Sequence, residues 1–342
     1  MKPNILVINL MYIGDLLFTT PLLHVLRKNY PAAHIALLAD RKSAGVIKDN
    51  PNLSELIAID KKGYHNKLKN YLGLIRDIRR RKFDLVINLH ANERASAIAA
   101  FSGAKTIIGF AARGFGLYFD RLVKERTDIH QADAYLEVLK TIGITDFTNP
   151  GLEMTVAEAA VRRAAELWDQ AGIKAAKVVG LNTGGSWPTK RWPAARFAEL
   201  ADRLLERECG VVFFGGPMDE PAVDQIKRLM NNGRSANLAV FTGRTTLPEM
   251  AALLKYCTAL VSGDSGPMHI AVSQKIPVVA LFGPSNPVRY APYQQADAVI
   301  TAAGCSCLAC GRHECEEHDC MKTITVEMVL SKLRPYLSGS GR

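Results

Sequence analysis

The chain has 342 residues, of which 48% are hydrophobic and 22% charged, a composition typical of soluble globular proteins. Its length favours two domains, because one domain usually holds about 100–200 residues. No segment approaches the roughly 20 apolar residues that span a bilayer, and the N-terminal apolar stretch lacks a signal-peptide cleavage pattern. We therefore expect a cytoplasmic protein. The formal net charge of +10 favours anionic partners: nucleotides, phosphorylated glycans, nucleic acid or an acidic membrane surface.

The first half of the chain alternates short apolar runs with longer mixed segments. The predicted strands are residues 5–10, 34–38, 56–59 and 85–89, and the predicted helices are residues 16–29 and 66–82. Alternation of strands and helices indicates a parallel sheet with helical crossovers.

The second half repeats this pattern after a junction near residues 148–156. The predicted strands are residues 178–182, 211–214, 239–241, 259–262 and 278–282, and the predicted helices are residues 157–171, 194–207, 220–230, 248–256, 267–274 and 326–337. Two α/β units are the simplest architecture for such a chain.

A strand, a glycine-bracketed turn and the start of a helix follow one another between residues 260 and 269. Gly263 and Gly266 allow the backbone to approach a ligand closely, and Asp264 or Ser265 can cap the helix. The amides and the positive dipole end of that helix suit a phosphate, to which His269 could donate a hydrogen bond. An ordinary capped turn with a structural histidine is the alternative interpretation.

Another glycine-containing loop follows the strand at residues 178–182. It begins at Thr183 and Gly184, and its Lys190 is a candidate clamp for a diphosphate leaving group. Arg191 is better explained as part of a solvated basic loop. Ligands bind at the carboxyl ends of parallel strands, so this loop and the turn at Gly263 together favour a nucleotide site.

A third loop places Asp219 and Glu220 after the strand at residues 211–214. A carboxylate at this position either accepts hydrogen bonds from ribose hydroxyls or favours the N-terminus of the next helix. None of the three loops matches the P-loop or the G-x-G-x-x-G fingerprint, so the nucleotide is expected to bind without those devices.

In the first half, Gly14 and Asp15 directly follow the first predicted strand. A carboxylate there can act as general base on an acceptor hydroxyl, or it can cap the helix that follows. Lys61 and Lys62, in the loop after the third strand, are candidates for binding an acidic acceptor. The basic run at residues 79–82 suits the C-terminal end of a helix.

Three ordered motifs resemble glycosyltransferase family 9, the ADP-heptose:lipopolysaccharide heptosyltransferases. They are residues 13–21 (IGDLLFTTP), residues 189–193 (TKRWP), and residues 263–269 (GDSGPMH) followed by residues 281–285 (LFGPS). Each motif is weak alone, whereas the ordered set is specific and covers nearly the whole chain.

The resemblance implies a GT-B fold: two Rossmann-like α/β/α domains with a cleft between them. Residues 1–155 would bind the acceptor and residues 156–325 the donor, and the helix within residues 326–342 would return to the N-terminal domain. It also implies an inverting transfer that needs no metal, from ADP-heptose to the lipopolysaccharide inner core.

The resemblance assigns roles to individual residues. Asp15 matches the general base, which favours the catalytic over the capping interpretation, and Lys190 matches the lysine that contacts the donor phosphates. The residues expected to bind the donor are Thr183, Gly184, Lys190, Glu220, Asp264, Ser265, Gly266 and His269, and those expected to bind the acceptor are Gly14, Lys61 and Lys62.

Five of the seven cysteines crowd into residues 305–320. Four of them, Cys307, Cys310, Cys315 and Cys320, have a spacing that suits a structural zinc ion or an iron–sulfur cluster. Disulfides and free thiols are the alternatives, and no catalytic metal is expected.

Other functions are compatible with parts of the pattern. A related transferase could use another nucleotide-sugar or a protein acceptor, and a non-catalytic nucleotide- or glycan-binding protein could share the fold. Asp15 argues against the non-catalytic alternative. Nucleic acid is not expected as a partner, because the usual motifs are missing, whereas peripheral contact with the anionic inner face of the inner membrane is expected.

Overall fold

The computed structural model describes residues 2–185, 187–302 and 304–338. The chain divides into two compact units, Met1–Thr155 and Val156–Arg342. Each unit has one six-stranded parallel sheet, and both strand orders reverse once, as in Rossmann-like folds.

The first unit has strand order β3-β2-β1-β4-β5-β6. Its strands are β1 (Asn4–Asn9), β2 (His34–Asp40), β3 (Glu55–Ile59), β4 (Leu85–Asn88), β5 (Thr106–Gly109) and β6 (Arg121–Leu122). Its α-helices are α1 (Ile13–Asn29), α2 (Leu68–Arg80), α3 (Glu93–Ala100) and α4 (Gln131–Glu137).

The second unit has strand order β12-β11-β10-β7-β8-β9. Its strands are β7 (Val178–Asn182), β8 (Gly210–Phe214), β9 (Leu238–Val240), β10 (Ala259–Gly263), β11 (Val278–Phe282) and β12 (Val299–Thr301). Its α-helices are α5 (Glu158–Ala171), α6 (Ala194–Leu205), α7 (Glu220–Leu229), α8 (Leu247–Leu254), α9 (Gly266–Ser273), α10 (Pro287–Tyr290), α11 (Asp319–Lys322) and α12 (Val326–Ser338).

The central strands form the core of each unit because they are apolar on both faces. In the first sheet Val7 pairs with Leu37 and Ile87, and in the second Val261 pairs with Val279 and Leu181. Continuous apolar runs of this kind are typical of parallel strands covered by helices on both sides. The predicted pair of Rossmann-like α/β/α domains is confirmed.

Helix α1 begins three residues earlier than predicted and includes Gly14 and Asp15 in its first turn. The prediction began at the first of the apolar residues Leu16 and Leu17, whereas the helix begins directly after the extended Tyr12. The side chain of Asp15 accepts a hydrogen bond from the amide of Tyr12, at 3.3 Å, and so stabilises the helix start.

The C-terminal helix α12 belongs to the core of the second unit, and its packing on the N-terminal domain stays a prediction. Residues at helical spacing give α12 one apolar stripe, which is buried in the same cluster as Trp192 and Phe197; they are Val326, Val329, Leu330 and Leu333. Helix α6 and strands β10 and β11 of the same unit contact α12. Within the described ranges, no helix is long and apolar enough to cross a membrane.

Candidate active site

The second sheet reverses its strand order between β7 and β10. In open α/β sheets ligands bind at such a switch point, beyond the carboxyl ends of the strands. All but one of the residues predicted to bind the donor lie in the two loops that follow these strands or at the start of α9: Thr183, Gly184, Lys190, Asp264, Ser265, Gly266 and His269. The exception, Glu220, follows the neighbouring strand β8 and is the first residue of α7.

Lys190, Asp264 and His269 form a buried charged cluster at this switch point. The Nζ atom of Lys190 lies 2.6 Å from Oδ2 of Asp264, and the two side chains are only 14% and 9% exposed. His269 is buried, and its Nε2 lies 3.8 Å from Oδ1 of Asp264, too far for a hydrogen bond but close enough for an electrostatic interaction. The sequence predicted that these residues share a donor site, and the fold shows that their side chains are in contact range.

Asp264 is held in its charged form. Burial by itself would raise the pKa of its carboxyl group, but the neighbouring His269 ring and the Lys190 ammonium outweigh that effect and lower the pKa to about 2. Asp264 therefore stays a hydrogen-bond acceptor over the physiological range. A carboxylate beside an ammonium can accept hydrogen bonds from the hydroxyl groups of a sugar while the ammonium faces a phosphate.

The N-terminus of α9 lies at the same switch point and can face an anion. Its N-cap residue is Ser265, whose Oγ lies 2.9 Å from Nδ2 of Asn182 and 3.0 Å from Oγ of Ser262. Within the described chain this hydroxyl does not cap the helix backbone. Pro267 has no amide hydrogen and the amide of Met268 donates to the backbone oxygen of Ser265, at 3.1 Å, so this terminus offers a ligand the amide of Gly266 and the positive end of the dipole.

Gly263 brings the two loops together at the end of β10. A Cβ atom on Gly263 would lie 2.8 Å from the backbone oxygen of Lys190, closer than real Cβ contacts allow. Glycine is required here by this close approach, which holds the Lys190 backbone against the strand that leads to Asp264.

Three buried hydroxyls at the same edge of the sheet have no hydrogen-bond partner among the described residues. They are Oγ1 of Thr183 after β7, Oγ1 of Thr242 after β9 and Oγ of Ser285 after β11. Buried polar groups normally have partners, so unpaired hydroxyls at a sheet edge indicate a ligand. The sequence analysis predicted only Thr183 as a site residue. Thr242 and Ser285 could have been found as polar residues within three positions of the end of a strand.

Glu220 and Asp219 differ in their surroundings. The carboxylate of Glu220 lies over Gly243, where φ is +72° and a Cβ atom would lie 1.8 Å from Oε1. Asp219 accepts a hydrogen bond from the amide of Gly216, at 2.9 Å, and lies 3.5 Å from a guanidinium nitrogen of Arg191. Asp219 therefore stabilises the loop before α7 rather than the start of that helix, where its side chain accepts no capping hydrogen bond among the described residues, whereas Glu220 is exposed.

Arg191 also has a structural role rather than the solvated position that we expected. Its Nε and a terminal nitrogen donate to the backbone oxygen of Gly185, at 3.2 and 3.1 Å. Together with its contact to Asp219, this places Arg191 between the loops after β7 and β8.

In the first unit the strand order reverses between β1 and β4. Gly14 and Asp15 lie in the first turn of α1, directly after β1, and Asp15 is 9% exposed. Asp15 thus takes part in the helix start and also lies at the switch point, so the two sequence interpretations are compatible.

Lys61 and Lys62 have different environments. The Nζ atom of Lys61 lies 3.1 Å from Oδ2 of Asp40 and donates to the backbone oxygen of Leu10 at 2.5 Å. It also lies 5.2 Å from the ring centroid of Tyr12. Lys62 is exposed. Lys61 therefore orders the carboxyl edge of this sheet, and Lys62 is the freer cation for an acceptor.

His90 follows β4 at the same switch point and was not predicted. Burial, with a smaller contribution from the charge of Lys61, lowers its pKa to about 4, so the imidazole is neutral at pH 7. Its Nδ1 atom is buried and has no hydrogen-bond partner in the described part of the chain. The sequence signal was a histidine directly after a predicted strand, at a position that only the sheet order identifies as a switch point.

The seven cysteines are free thiols, which differs from the disulfide alternative. The sulfur atoms of Cys305 and Cys307 lie 3.4 Å apart, and Cys320 is buried in the core. Among residues 2–185, 187–302 and 304–338, no three His, Cys, Asp or Glu side chains are grouped so as to hold a metal ion. The structural metal at Cys307, Cys310, Cys315 and Cys320 stays a prediction, which elemental analysis of protein purified without added metal would test.

The chain is similar to proteins of one family over most of its length. A family model described as "Glycosyltransferase family 9 (heptosyltransferase)" matches residues 71–321. Lipopolysaccharide heptosyltransferase 3 of Escherichia coli K12 is 32% identical, over 83% of each chain.

Solved structures agree with this match. A glycosyl transferase family 9 protein from Veillonella parvula is 36% identical, with 99% of each chain covered and a TM-score of 0.90. The E. coli ADP-heptose lps heptosyltransferase II is 24% identical over 99% of each chain, with a TM-score of 0.81, and supports the predicted GT-B fold class. The chain is therefore a glycosyltransferase that belongs to family 9, the heptosyltransferases, as its motifs predicted.

Proposed function

We propose that this enzyme transfers a heptose from ADP-heptose to the lipopolysaccharide inner core, with inversion at the anomeric carbon and without a metal ion. The observation that carries the proposal is the cluster of Lys190, Asp264 and His269 beside the N-terminus of α9. It combines a cation, the Gly266 amide and the positive end of a helix dipole for a diphosphate with a carboxylate for sugar hydroxyls. The names of the relatives support heptose and lipopolysaccharide as the substrates.

The transfer is a single displacement. An acceptor hydroxyl oxygen forms a bond to the anomeric carbon as the bond from that carbon to the diphosphate oxygen breaks. The carboxylate of Asp15 accepts the hydroxyl proton. The ammonium of Lys190, the amide of Gly266 and the positive end of the α9 dipole stabilise the negative charge that develops on the leaving ADP. These groups supply the charge stabilisation that a metal ion supplies in other transferases, so we expect full activity in a chelator.

On the acceptor side we propose that Lys62 binds an anionic group and that Gly14 allows close approach to the start of α1. Lys61 keeps this edge ordered through Asp40 and the Leu10 carbonyl. The neutral ring of His90, at the same switch point of the sheet as Asp15, can exchange a hydrogen bond with a hydroxyl without adding a charge there.

A peripheral membrane contact belongs to the same proposal, at the cytoplasmic face of the inner membrane. Helix α2 and the turn before it present three exposed apolar side chains, Tyr64, Leu68 and Leu72, which are 65%, 70% and 50% exposed. Exposed cations surround them: Lys62, Lys67, Lys69, Arg76, Arg79 and Arg80. Apolar residues within a basic surface favour an anionic lipid interface.

Vesicle binding tests this contact. We expect the wild type to sediment with phosphatidylglycerol vesicles and not with phosphatidylcholine vesicles, and Leu68→Ser/Leu72→Ser to lose that binding. Leu229→Ser, on α7, is the matched control because Leu229 is 51% exposed. Equal binding by all three proteins would show that α2 is not the membrane surface.

Donor identity is tested by thermal shift with ADP, UDP, GDP, CMP and ADP-heptose. A ligand at 100 times its dissociation constant should stabilise the protein by about 2.7 kcal/mol. We expect selective stabilisation by ADP and ADP-heptose, followed by heptose transfer to a lipopolysaccharide core acceptor in the presence of EDTA. A preference for UDP or GDP would replace the donor, loss of transfer in EDTA would refute the metal-free mechanism, and no response to any nucleotide would refute the proposal.

A further inference from the structure

The cysteine-rich segment, residues 305–320, connects two loops of the candidate donor site; we call it the strap. On one side, the amides of Ala309 and Gly311 donate to the backbone oxygens of Gly283 and Pro284, at 2.9 and 2.8 Å, in the loop after β11. Strands β11 and β7 are the two neighbours of β10 in the sheet.

The other side of the strap is bound to the loop after β7. Oγ1 of Thr189 donates to the backbone oxygen of Arg312 at 2.8 Å, and Nε2 of His318 lies 2.6 Å from the backbone oxygen of Thr189. The strap therefore joins the loops on either side of the one that carries Asp264. Thr189 is directly followed by Lys190, so these bonds fix the backbone next to the proposed phosphate lysine.

A series of contacts also leads from the strap to the Lys190 side chain. The ring of His313 stacks on the indole of Trp187, with centroids 3.7 Å apart and planes at 29°. The Lys190 ammonium lies 4.1 Å from the centroid of the same indole and 2.6 Å from Asp264. A cation over a tryptophan ring is attracted to it, and a stacked neighbour restricts where that ring can lie.

The thiols of the strap fit a packing role. Cys320 is buried beside Gly283, where a Cβ atom would lie 2.8 Å from its sulfur, and Cys305 and Cys307 pack against the same core. These side chains attach both ends of the strap to the second unit.

We propose that the strap is a support for the donor site, in which His313 and Trp187 are positioning residues for the Lys190 ammonium. The inference rests on the proposed role of Lys190 toward the diphosphate. Loss of the His313 ring frees the indole, and the ammonium loses its fixed place opposite the leaving group. The strap therefore has a function in donor binding although none of its residues takes part in the transfer step.

The test compares His313→Ala, His313→Phe and Trp187→Ala, each in the wild type and in Lys190→Ala. We expect His313→Ala and Trp187→Ala to lower kcat about tenfold and to weaken ADP binding severalfold, because the ammonium is no longer oriented. His313→Phe keeps a ring on the indole and should restore most of the activity. In Lys190→Ala, the change at His313 should have no further effect, because there is no ammonium to position.

Glu316→Gln is the control on the same strap, because its exposed side chain is outside these contacts, and it should keep wild-type kcat and ADP affinity. Thermal unfolding of each variant separates positioning from folding: a merely structural role lowers the melting temperature and adds to the loss in Lys190→Ala. The inference would be overturned if the losses of kcat from His313→Ala and Lys190→Ala add in the double variant. It would also be overturned if both His313→Ala and Trp187→Ala keep wild-type kinetics. A wild type that binds no ADP would instead refute the proposed donor.

Discussion

The ion pair between Lys190 and Asp264 allows its contributions to stability and to catalysis to be separated. Nζ and Oδ2 are 2.6 Å apart, and both side chains are at most 14% exposed. Lys190→Met keeps the length of the side chain and removes the ammonium, so the carboxylate of Asp264 stays buried with its main counter-charge gone. Breaking one side of a buried pair costs about 3–5 kcal/mol of unfolding free energy.

The double variant Lys190→Met/Asp264→Asn removes the uncompensated charge with little change in volume. We expect it to recover most of the lost unfolding free energy, because replacing both members of a buried pair is often close to neutral. We do not expect it to recover activity, because the ammonium that faces the leaving diphosphate is still missing. The loss in kcat should be about 100-fold or more in both variants.

Urea unfolding and a heptose-transfer assay measure the two effects on the same preparations. Lys255→Met is the matched control, since Lys255 is an exposed lysine at the end of α8, and it should change stability by less than about 0.5 kcal/mol. Wild-type stability in Lys190→Met would refute the stabilising role of the pair. Recovery of kcat in the double variant would refute the role of Lys190 toward the leaving group.

Three further predictions follow from the first unit. Asp15→Asn should lower kcat at least about 100-fold and leave the ADP affinity unchanged, and wild-type kcat would show that Asp15 is not the base. Because the pKa of His90 is about 4 in the folded chain and near 6.5 unfolded, acidification from pH 6.5 to 4 protonates the unfolded state first and lowers stability. In urea unfolding, His90→Gln should reduce the loss of unfolding free energy between pH 6.5 and 4 by up to about 3 kcal/mol. If the pH dependence of stability is the same as in the wild type, His90 is not buried in its neutral form. Lys61→Met should lower the unfolding free energy, because Asp40 loses its ion-pair partner, whereas Lys62→Met should only raise the acceptor KM. Lower stability in Lys62→Met, with a raised KM alone in Lys61→Met, would reverse the two roles.

Much of the architecture could be predicted from local patterns. The apolar runs at residues 178–182 and 278–282 coincide with β7 and β11. The runs at residues 211–214 and 259–262 each miss one residue at one end of β8 and β10, the run at residues 239–241 is shifted by one residue from β9, and β12 was not predicted. Strands of this kind are buried on both faces, so their sequence is a continuous apolar run that needs no long-range information. Helix ends were less certain because capping depends on backbone geometry, as the earlier start of α1 shows.

The position of α12 could not be decided in this way. Its apolar stripe predicts a helix that must pack somewhere, but the stripe does not say which surface covers it. Packing against α6, together with a hydrogen bond from the Trp192 indole to the backbone oxygen of Ile324, at 3.0 Å, places this end of the chain in the second unit.

By itself the sequence determined the fold class, the family motifs and the identity of the polar residues that follow the strands. These depend on neighbours within a few positions, where the periodicity of helices and strands and the chemistry of turns decide. The tertiary structure alone decided which of these residues meet. Lys190 and Asp264 are 74 positions apart, and they meet because the second sheet places β7 next to β10. The order of the second sheet also brings the strap to the loop after β7, and the order of the first sheet places His90 at the switch point of the first unit.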